Sequence, residues 1–225
     1  MKESKKAAVA RLAAISALLT ERYPEAECAL RYGGDPWRLL VMGRLSAQCT
    51  DARVNEVSIP LFARFPTPAA MAAADLHEVE ELCRSCGLFR TKARDLVASA
   101  EMLVTEYGGH LPDTMEELLR LPGVGRKIAN LLLGDVFGKG GVVADTHCIR
   151  IAGRLGFTPK EKRDPLVCER TLTPLLLAAG ESPSDFCHRI VLFGREICTA
   201  RSPACDACPL SAAGLCPNGG QHGKA

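Results

Sequence analysis

The sequence lacks a large excess of charge of either sign, and it has no long apolar run. Its 28 lysines and arginines oppose 26 aspartates and glutamates, so the formal net charge is only +2. This balance neither demands nor excludes a nucleic-acid partner, and any basic surface must be local. No segment is apolar over the length of a membrane span, and Arg11 and Glu21 interrupt the N-terminal Ala/Leu-rich stretch before it reaches signal-peptide length. We therefore expect a cytoplasmic protein without a membrane partner.

The sequence also lacks internal repeats and any sustained alternation of apolar and polar residues, which is the pattern typical of strands. Apolar residues recur with helical spacing instead, and glycines and prolines separate the segments. We therefore predict an all-α fold and a loose tail at 218–225. The predicted helices lie around 12–19 and at 36–47, 51–64, 75–86, 91–107, 114–120, 126–137, 147–155, 165–179 and 183–197.

Cysteine is abundant, with eleven residues, but its distribution does not indicate a disulfide scaffold. The number is odd, and seven cysteines are scattered through apolar, helical surroundings. The other four crowd into 19 residues near the C-terminus, at Cys198, Cys205, Cys208 and Cys216. This crowding indicates a metal or cluster site in a reducing compartment. Four thiolates would suit zinc, but zinc ribbons usually have two Cys-x-x-Cys pairs, and the single pair here favours an iron–sulfur cluster.

A hairpin of two helices is predicted between residues 114 and 137. A capping box at 114–117 opens a short helix, the sequence Leu-Pro-Gly-Val-Gly at 121–125 turns the chain, and a second helix begins with Arg126 and Lys127. The two glycines permit a tight turn in which backbone N–H groups at the helix start face an anion such as a DNA phosphate. An ordinary connection between packed helices is the alternative. The flanking Leu-Pro and Arg-Lys residues favour DNA.

Two side chains near this hairpin in sequence are candidates for chemistry. Lys127 lies in the first helical turn, where the helix dipole disfavours a charged ammonium, and a neutral amine is a nucleophile. Asp145 follows a predicted buried strand at 142–144 and occupies the N-cap position of the next helix. The ordinary interpretations are a solvated surface lysine and a helix cap, but a fixed carboxylate can also act as an acid or base. His147 either orients this loop or fills space.

These motifs together resemble the endonuclease III family of DNA glycosylases and abasic-site lyases. The segment 121–130 is similar to the family's helix-hairpin-helix with its catalytic lysine, and the segment 143–147 is similar to its catalytic aspartate segment. Asp145 follows Lys127 by 18 positions, as the family pattern requires. The segments 45–51 and 87–93 match two further family motifs. The resemblance extends from the first helix to Cys216.

The resemblance implies two helical lobes that flank a DNA-binding cleft. Residues 28–140 would form a six-helix barrel that contains the hairpin, and residues 1–27 and 141–225 would form an iron–sulfur lobe. It implies a monomeric, bifunctional enzyme of base excision repair in a prokaryotic nucleoid. That enzyme would remove oxidised pyrimidines from double-stranded DNA and cleave the strand 3′ to the abasic site by β-elimination through a Lys127 Schiff base, with Asp145 as the second catalytic residue.

The resemblance also implies the binding residues. The ligands of a 4Fe-4S cluster would be Cys198, Cys205, Cys208 and Cys216. Gln48 would fill the gap left by an extruded nucleotide, and Leu88 would wedge into the base stack. The remaining implied DNA contacts are Leu121, Gly123, Val124, Gly125, Arg126 and Arg201.

Two other functions remain open at this point. One is a monofunctional glycosylase, in which Asp145 activates water and Lys127 only contacts phosphate. The other is a non-catalytic DNA-binding module with a structural metal. Gly43 argues against a cluster-bearing adenine glycosylase, because those enzymes carry a catalytic glutamate near this position and lack the lysine.

The sequence departs from the family pattern at four places. The last cysteine gap is seven residues rather than the usual five, Arg44 stands where the family is apolar, and Ile128 replaces a threonine. Arg201 is the only basic residue between Cys198 and Cys205, where relatives carry more positive charge. These departures predict a lower affinity for DNA and a different range of excised lesions.

The lower affinity can be tested by measuring the dissociation constant for a duplex over a range of salt concentrations. Because each phosphate contact releases counterions, a protein with fewer contacts has a shallower slope of log affinity against log salt. We expect a shallower slope than that of a standard endonuclease III measured in parallel. An equal or steeper slope would contradict this prediction.

Overall fold

The computed structural model describes residues 3–159 and 163–217, and within these ranges the chain forms α-helices, one short 3-10 helix and no strand. The all-α prediction is therefore confirmed, while the predicted tail at 218–225 lies outside the described residues. None of the described helices combines the length and apolar character needed to cross a membrane. The helices are α1 (Lys5–Arg22), α2 (Pro36–Leu45), α3 (Asp51–Arg64), α4 (Pro68–Ala72), α5 (Leu76–Cys83), α6 (Phe89–Tyr107), α7 (Met115–Leu118), α8 (Arg126–Asp135), α9 (Thr146–Arg154), α10 (Pro165–Ala178), α11 (Pro183–Glu196) and α12 (Pro209–Ala212).

The chain divides into two compact units that do not follow its linear order. One unit is the continuous segment Cys28–Lys139, which contains α2 to α8. The other combines the chain up to Glu27 with the chain from Gly140 onward, so that α1 belongs with α9 to α12. Each unit has its own apolar interior, as expected for compact parts of a chain of this size.

Helix α6 is central to the unit at 28–139. It packs against α2, α4 and α5, while α2 also packs against α8. The fully buried Leu96, Ala100 and Leu103 recur at helical spacing along one face of α6 and join the core of this unit. Helix α6 therefore positions the loop that precedes it, which contains Leu88, and the turn that precedes α8.

Two short helices were not predicted because five and four residues show no readable period. Both α4 and α12 begin at a proline in the first turn, at Pro68 and Pro209, where the fixed φ of proline suits a helix start. Thr67 also caps α4 by accepting the Ala70 N–H at 3.1 Å. Pro68, which the sequence marks as a boundary between segments, and Pro209 both lie at helix starts.

The second unit is built around α1, which packs against α10 and α11, while α9 packs against α11. The predicted apolar face of α1 is confirmed, because Leu12, Ile15 and Leu19 are fully buried. The residues at 142–144 are buried as expected, but they form no strand. The Val142 N–H donates to the Thr173 hydroxyl of α10 at 2.9 Å, so a side chain satisfies this extended segment in place of a partner strand.

Candidate DNA-binding hairpin and iron–sulfur site

The turn at 121–125 joins α7 to α8 and buries its side chains while leaving glycines outside. Leu121 and Val124 are only 2% and 6% exposed, so their side chains belong to the core and only their backbone atoms could meet DNA. Gly123 has a φ of +74°, a conformation that glycine adopts most readily. Gly125 is extended and precedes α8 as its N-cap, and no side chain caps that helix. A helix start of this kind is suited to an anion.

The predicted nucleophile stands at the start of α8. Lys127 is exposed and lies in the first turn, next to the exposed Arg126. At the other arm of the hairpin, the Thr114 hydroxyl accepts the Glu117 N–H at 3.3 Å and lies 2.7 Å from the Glu117 carboxylate. The predicted N-cap at Thr114 is thus confirmed, but the Glu117 carboxylate accepts from the Thr114 hydroxyl and not from the Thr114 N–H, so the contact differs from the reciprocal bond of a capping box. The hairpin therefore places a primary amine directly after an uncapped helix start.

Gln48 and Leu88 share an unusual backbone conformation. Within the ranges that the structure describes, they are the only residues other than glycine with a positive φ, at +53° and +60°. Such a conformation costs about 1–3 kcal/mol at a residue with a side chain. Both residues are exposed, Leu88 by 57%. Exposed side chains that keep a costly backbone conformation indicate a functional constraint at these two positions.

The loops that carry Gln48 and Leu88 lie against each other. A Cβ atom placed on Gly87 would lie 3.4 Å from the Gln48 carbonyl oxygen, so the two backbones approach closely. Lys92, in the first turns of α6, is fully buried and donates from Nζ to the Leu45 carbonyl at 2.7 Å. Burial lowers the pKa of this lysine. Lys92 therefore ties the start of α6 to the end of α2, from which the Gln48 loop leaves.

Gly43 permits close packing of α2 on α8. A Cβ atom at Gly43 would lie 3.3 Å from Cγ2 of Ile128 and 3.8 Å from Cδ2 of Leu131. Ile128, one of the departures from the family pattern, therefore packs against Gly43. A glutamate at position 43 would have to displace Ile128, which agrees with the exclusion of the adenine glycosylase.

Asp145 occupies the N-cap of α9 as predicted. Its Oδ1 accepts the Cys148 N–H at 2.7 Å, and the carboxylate itself is half-buried. One carboxylate oxygen is thus held by the helix start, which fixes the direction of the group. The cap prediction is confirmed, and a cap leaves the second oxygen to serve another role.

His147 fills space between α9 and α11. Its Nδ1 lies 3.1 Å from Nη2 of Arg150, and a Cβ atom at Gly194 would lie 2.5 Å from that Nδ1. Burial lowers the pKa of His147, and the neighbouring Asp145 and Arg150 act on it in opposite directions. This close packing supports the interpretation of His147 as a structural residue.

The four C-terminal cysteines line one cavity with apolar walls. Cys198, Cys205, Cys208 and Cys216 all face it. The side chains that enclose them include Ile151, Leu155, Phe193, Ile197 and Leu210. Four thiols around one apolar space are the donor set that an iron–sulfur cluster requires.

Zinc and an iron–sulfur cluster would space four thiolate ligands differently. A tetrahedral zinc with Zn–S bonds of about 2.3 Å would draw its four sulfurs into mutual contact. A cluster is a larger body, and its four ligand sulfurs are spread around it. Among the described residues, no three cysteine, histidine or acidic side chains come close enough to hold one metal ion.

Two arginines of α9 hold the loop that begins at Cys198. Arg154 donates to the Thr199 and Ala200 carbonyls at 2.6 and 2.9 Å, and to Sγ of Cys198 at 3.2 Å. Arg150 donates to the Cys198 carbonyl at 3.0 Å. A guanidinium that donates to this sulfur would complement the negative charge of a cluster ligand. The same helix therefore begins at Asp145 and ends at the cysteine loop.

Comparison with known proteins agrees with this geometry. Residues 41–175 match the family model described as HhH-GPD superfamily base excision DNA repair protein. Endonuclease III of Synechocystis sp. is 45% identical over 202 residues, covering 89% of each chain. The chain belongs to the endonuclease III family. Endonuclease III of Bacillus subtilis is 39% identical over 204 residues, covering 91% of this chain and 90% of the relative.

A solved endonuclease III structure has the same fold. It is described as a trapped endonuclease III–DNA covalent intermediate in an estranged-adenine complex. Its TM-score to this chain is 0.85 at 38% identity, covering 97% of this chain and 98% of that one. The predicted class of enzyme, a base excision DNA glycosylase of the family that includes abasic-site lyases, is confirmed.

The cofactor prediction is confirmed as well. Residues 198–212 match the model described as the iron–sulfur binding domain of endonuclease III. This match includes Cys198, Cys205 and Cys208 but ends before Cys216, the cysteine that follows the longer gap. Cys216 nevertheless lines the same cavity as the other three. This endonuclease III homologue therefore retains four cysteines around its cluster site despite the longer loop.

Sequence reasoning overlooked the residues that support the site. Arg150 and Arg154 are one helical turn apart on α9, which puts them on one face, and this spacing was the available signal. Lys92 was noticed only as part of a family motif, because nothing in the sequence shows that its amine is buried against a carbonyl. Long-range partners of this kind depend on packing.

We predict that Arg154→Met destabilises the cysteine loop and promotes loss of the cluster. The substitution keeps the apolar stem but removes several charge-assisted hydrogen bonds, each of which contributes about 1.5–3 kcal/mol. The measurement is the visible absorbance of the cluster during urea unfolding or exposure to an iron chelator. The matched control is Arg201→Met on the exposed part of the same loop. Equal cluster retention in the two variants would contradict the prediction.

Proposed function

We propose that this chain is a bifunctional DNA glycosylase and abasic-site lyase that forms a Schiff base through Lys127. The single observation that carries the proposal is the position of Lys127, exposed in the first turn of α8 directly after the uncapped turn at 121–125. A phosphate held by that turn would bring the adjoining deoxyribose within reach of the amine. The substrate is double-stranded DNA with oxidised pyrimidines or abasic sites, and the enzyme acts as a monomer.

Binding begins with the backbone of the turn. N–H groups at the start of α8 bind a DNA phosphate, and the partial positive charge of the helix N-terminus favours that anion. Gly125 lets the strand approach because it carries no side chain, while Gly123 permits the left-handed backbone of the turn. Arg126 adds charge beside this contact, and Arg201 on the cysteine loop binds a second phosphate. These contacts are independent of sequence and position the strand.

Base extrusion follows, because the glycosidic bond cannot be attacked within the stacked duplex. Flipping costs a few kcal/mol, and least for a lesion that pairs or stacks poorly. Gln48 occupies the gap left by the extruded nucleotide, and Leu88 inserts into the stack. The left-handed backbone at both residues supports this role, since it projects their side chains from loops held by Lys92.

The chemistry starts when Nζ of Lys127 attacks the anomeric carbon of the deoxyribose. The glycosidic C–N bond breaks, and the base leaves with the bonding electrons and takes up a proton. Asp145 stabilises the positive charge that develops on the sugar. Opening of the sugar ring then gives the Schiff base. Removal of a proton from the sugar carbon next to it causes β-elimination, in which the C–O bond to the 3′ phosphate breaks and the phosphate leaves with the bonding electrons. Water finally hydrolyses the Schiff base and releases the Lys127 amine.

The cluster has a structural role in the proposed enzyme. Cys198, Cys205, Cys208 and Cys216 hold a 4Fe-4S cluster, which orders the loop carrying Arg201. Arg154 and Arg150 connect that loop to α9, and Asp145 caps the other end of the same helix. Residues 28–140 act as the helix-hairpin-helix lobe, and residues 1–27 with 141–225 act as the cluster lobe. We place the activity at the chromosome in the cytoplasm.

The test is reductive trapping with borohydride on a duplex that contains one oxidised pyrimidine. Because a Schiff base is reduced to a stable amine, we expect a covalent protein–DNA band from the native chain and none from Lys127→Ala. Lys139→Ala is the matched control, because Lys139 is another exposed lysine of the same unit. It should trap as well as the native chain.

The monofunctional alternative predicts a different pattern. If Asp145 activates water and Lys127 only binds phosphate, the native chain releases the base, leaves the strand intact and never traps. That result would overturn the lyase proposal while leaving the glycosylase in place.

A further inference from the structure

An ion pair lies directly under the turn of the hairpin. Arg44, in the last turn of α2, donates from Nε and Nη2 to Oδ2 of Asp95 on α6 at 2.8 and 2.5 Å. The two side chains are only 13% and 23% exposed. Two donors on one carboxylate in a half-buried setting form a better-defined contact than a surface pair.

The pair occupies the space into which a side chain at Gly123 would project. A Cβ atom there would lie 2.7 Å from Cδ of Arg44 and 2.7 Å from Oδ2 of Asp95, and closer still to Nε of Arg44. The Gly123 backbone therefore rests on the ion pair itself. A second side chain of α6 reaches the same turn, since the Ser99 hydroxyl donates to the Pro122 carbonyl at 2.7 Å. Asp95 and Ser99 are one helical turn apart.

The same two helices also hold the exposed loops. Lys92 of α6 donates to the carbonyl of Leu45, the residue after Arg44. Lys92 thus joins the end of α2, which precedes the Gln48 loop, to the first turns of α6, which Leu88 precedes, and the same face of α6 contacts the turn at 121–125. Arg44 stands where the family resemblance leads one to expect an apolar residue, so this chain supports the turn with charge where packing would otherwise do so.

We propose that Arg44 and Asp95 are positioning residues for DNA binding by the hairpin. Their ion pair fixes the position and orientation of the Gly123 backbone. The N–H groups at the start of α8 can then bind a phosphate while the Gln48 and Leu88 side chains enter the duplex. The inference rests on the proposed function, and it adds residues that touch no DNA themselves. A misplacement of about 1 Å in such a contact can cost about a hundredfold in rate.

The decisive variant is Asp95→Asn, because charge and positioning predict opposite results for it. Removal of a carboxylate makes the protein more positive, and long-range electrostatics alone would tighten DNA binding. Positioning predicts weaker binding, by about tenfold or more, since Arg44 loses its charged partner and the turn shifts. It also predicts a shallower slope of log affinity against log salt, by about 0.9 for one lost phosphate contact.

The measurement is fluorescence anisotropy with a duplex that contains a stable abasic-site analogue, over a salt series. The matched control is Glu78→Gln, which makes the same charge change and breaks the Arg64–Glu78 pair in the same unit. It should bind as tightly as the native chain or slightly more tightly. Thermal unfolding of each variant shows whether weaker binding comes from a shift of the turn at 121–125 or from loss of the folded structure.

Arg44→Lys provides the test if Asp95→Asn does not fold. Lysine keeps the charge but cannot make both contacts to Asp95, so weaker binding with a shallower slope supports the proposal. Native affinity with an unchanged slope, in either variant, overturns it. A native chain that does not bind the duplex at all would instead defeat the proposed function, so the two failures are distinguishable.

Discussion

The burial of Leu121 and Val124 on either side of Gly123 is the constraint on which the site depends. With both apolar side chains in the core, the turn can present only backbone to solvent, and the start of α8 is left without a capping side chain. An exposed amine in the next turn then stands beside a surface suited to phosphate. The backbone N–H groups at the start of α8 therefore have no capping side chain at the place where we expect a phosphate to bind.

Helix α9 has a corresponding role in the other unit. It begins at Asp145, whose carboxylate accepts a backbone N–H, and it ends at Arg154, whose guanidinium binds the backbone that follows Cys198. The acid and the cysteine loop are therefore held by one rigid element of nine residues. The cysteine loop and the proposed catalytic acid are therefore attached to opposite ends of the same helix.

Much of this could be predicted from the sequence, because local signals suffice for helices and caps. Helical periodicity and the N-caps at Thr114 and Asp145 depend on residues a few positions apart, and the structure confirms them. The buried segment at 142–144 was wrongly predicted as a strand, since β-branched burial does not reveal whether a partner strand exists. The supporting side chains of Arg44, Lys92 and Arg154 have hydrogen-bond partners 44 or more positions away in the chain. Such contacts depend on how the helices pack, and no short sequence motif predicts them.

The central claim is that the Lys127 amine and the Asp145 carboxylate act on one deoxyribose. A crystal structure of the borohydride-trapped protein–DNA adduct tests it most directly. The account predicts a covalent bond from Nζ of Lys127 to the anomeric carbon, a phosphate oxygen at the start of α8, and the Asp145 carboxylate facing the same sugar. An adduct on another amine, or an Asp145 that points away from that sugar, would contradict it.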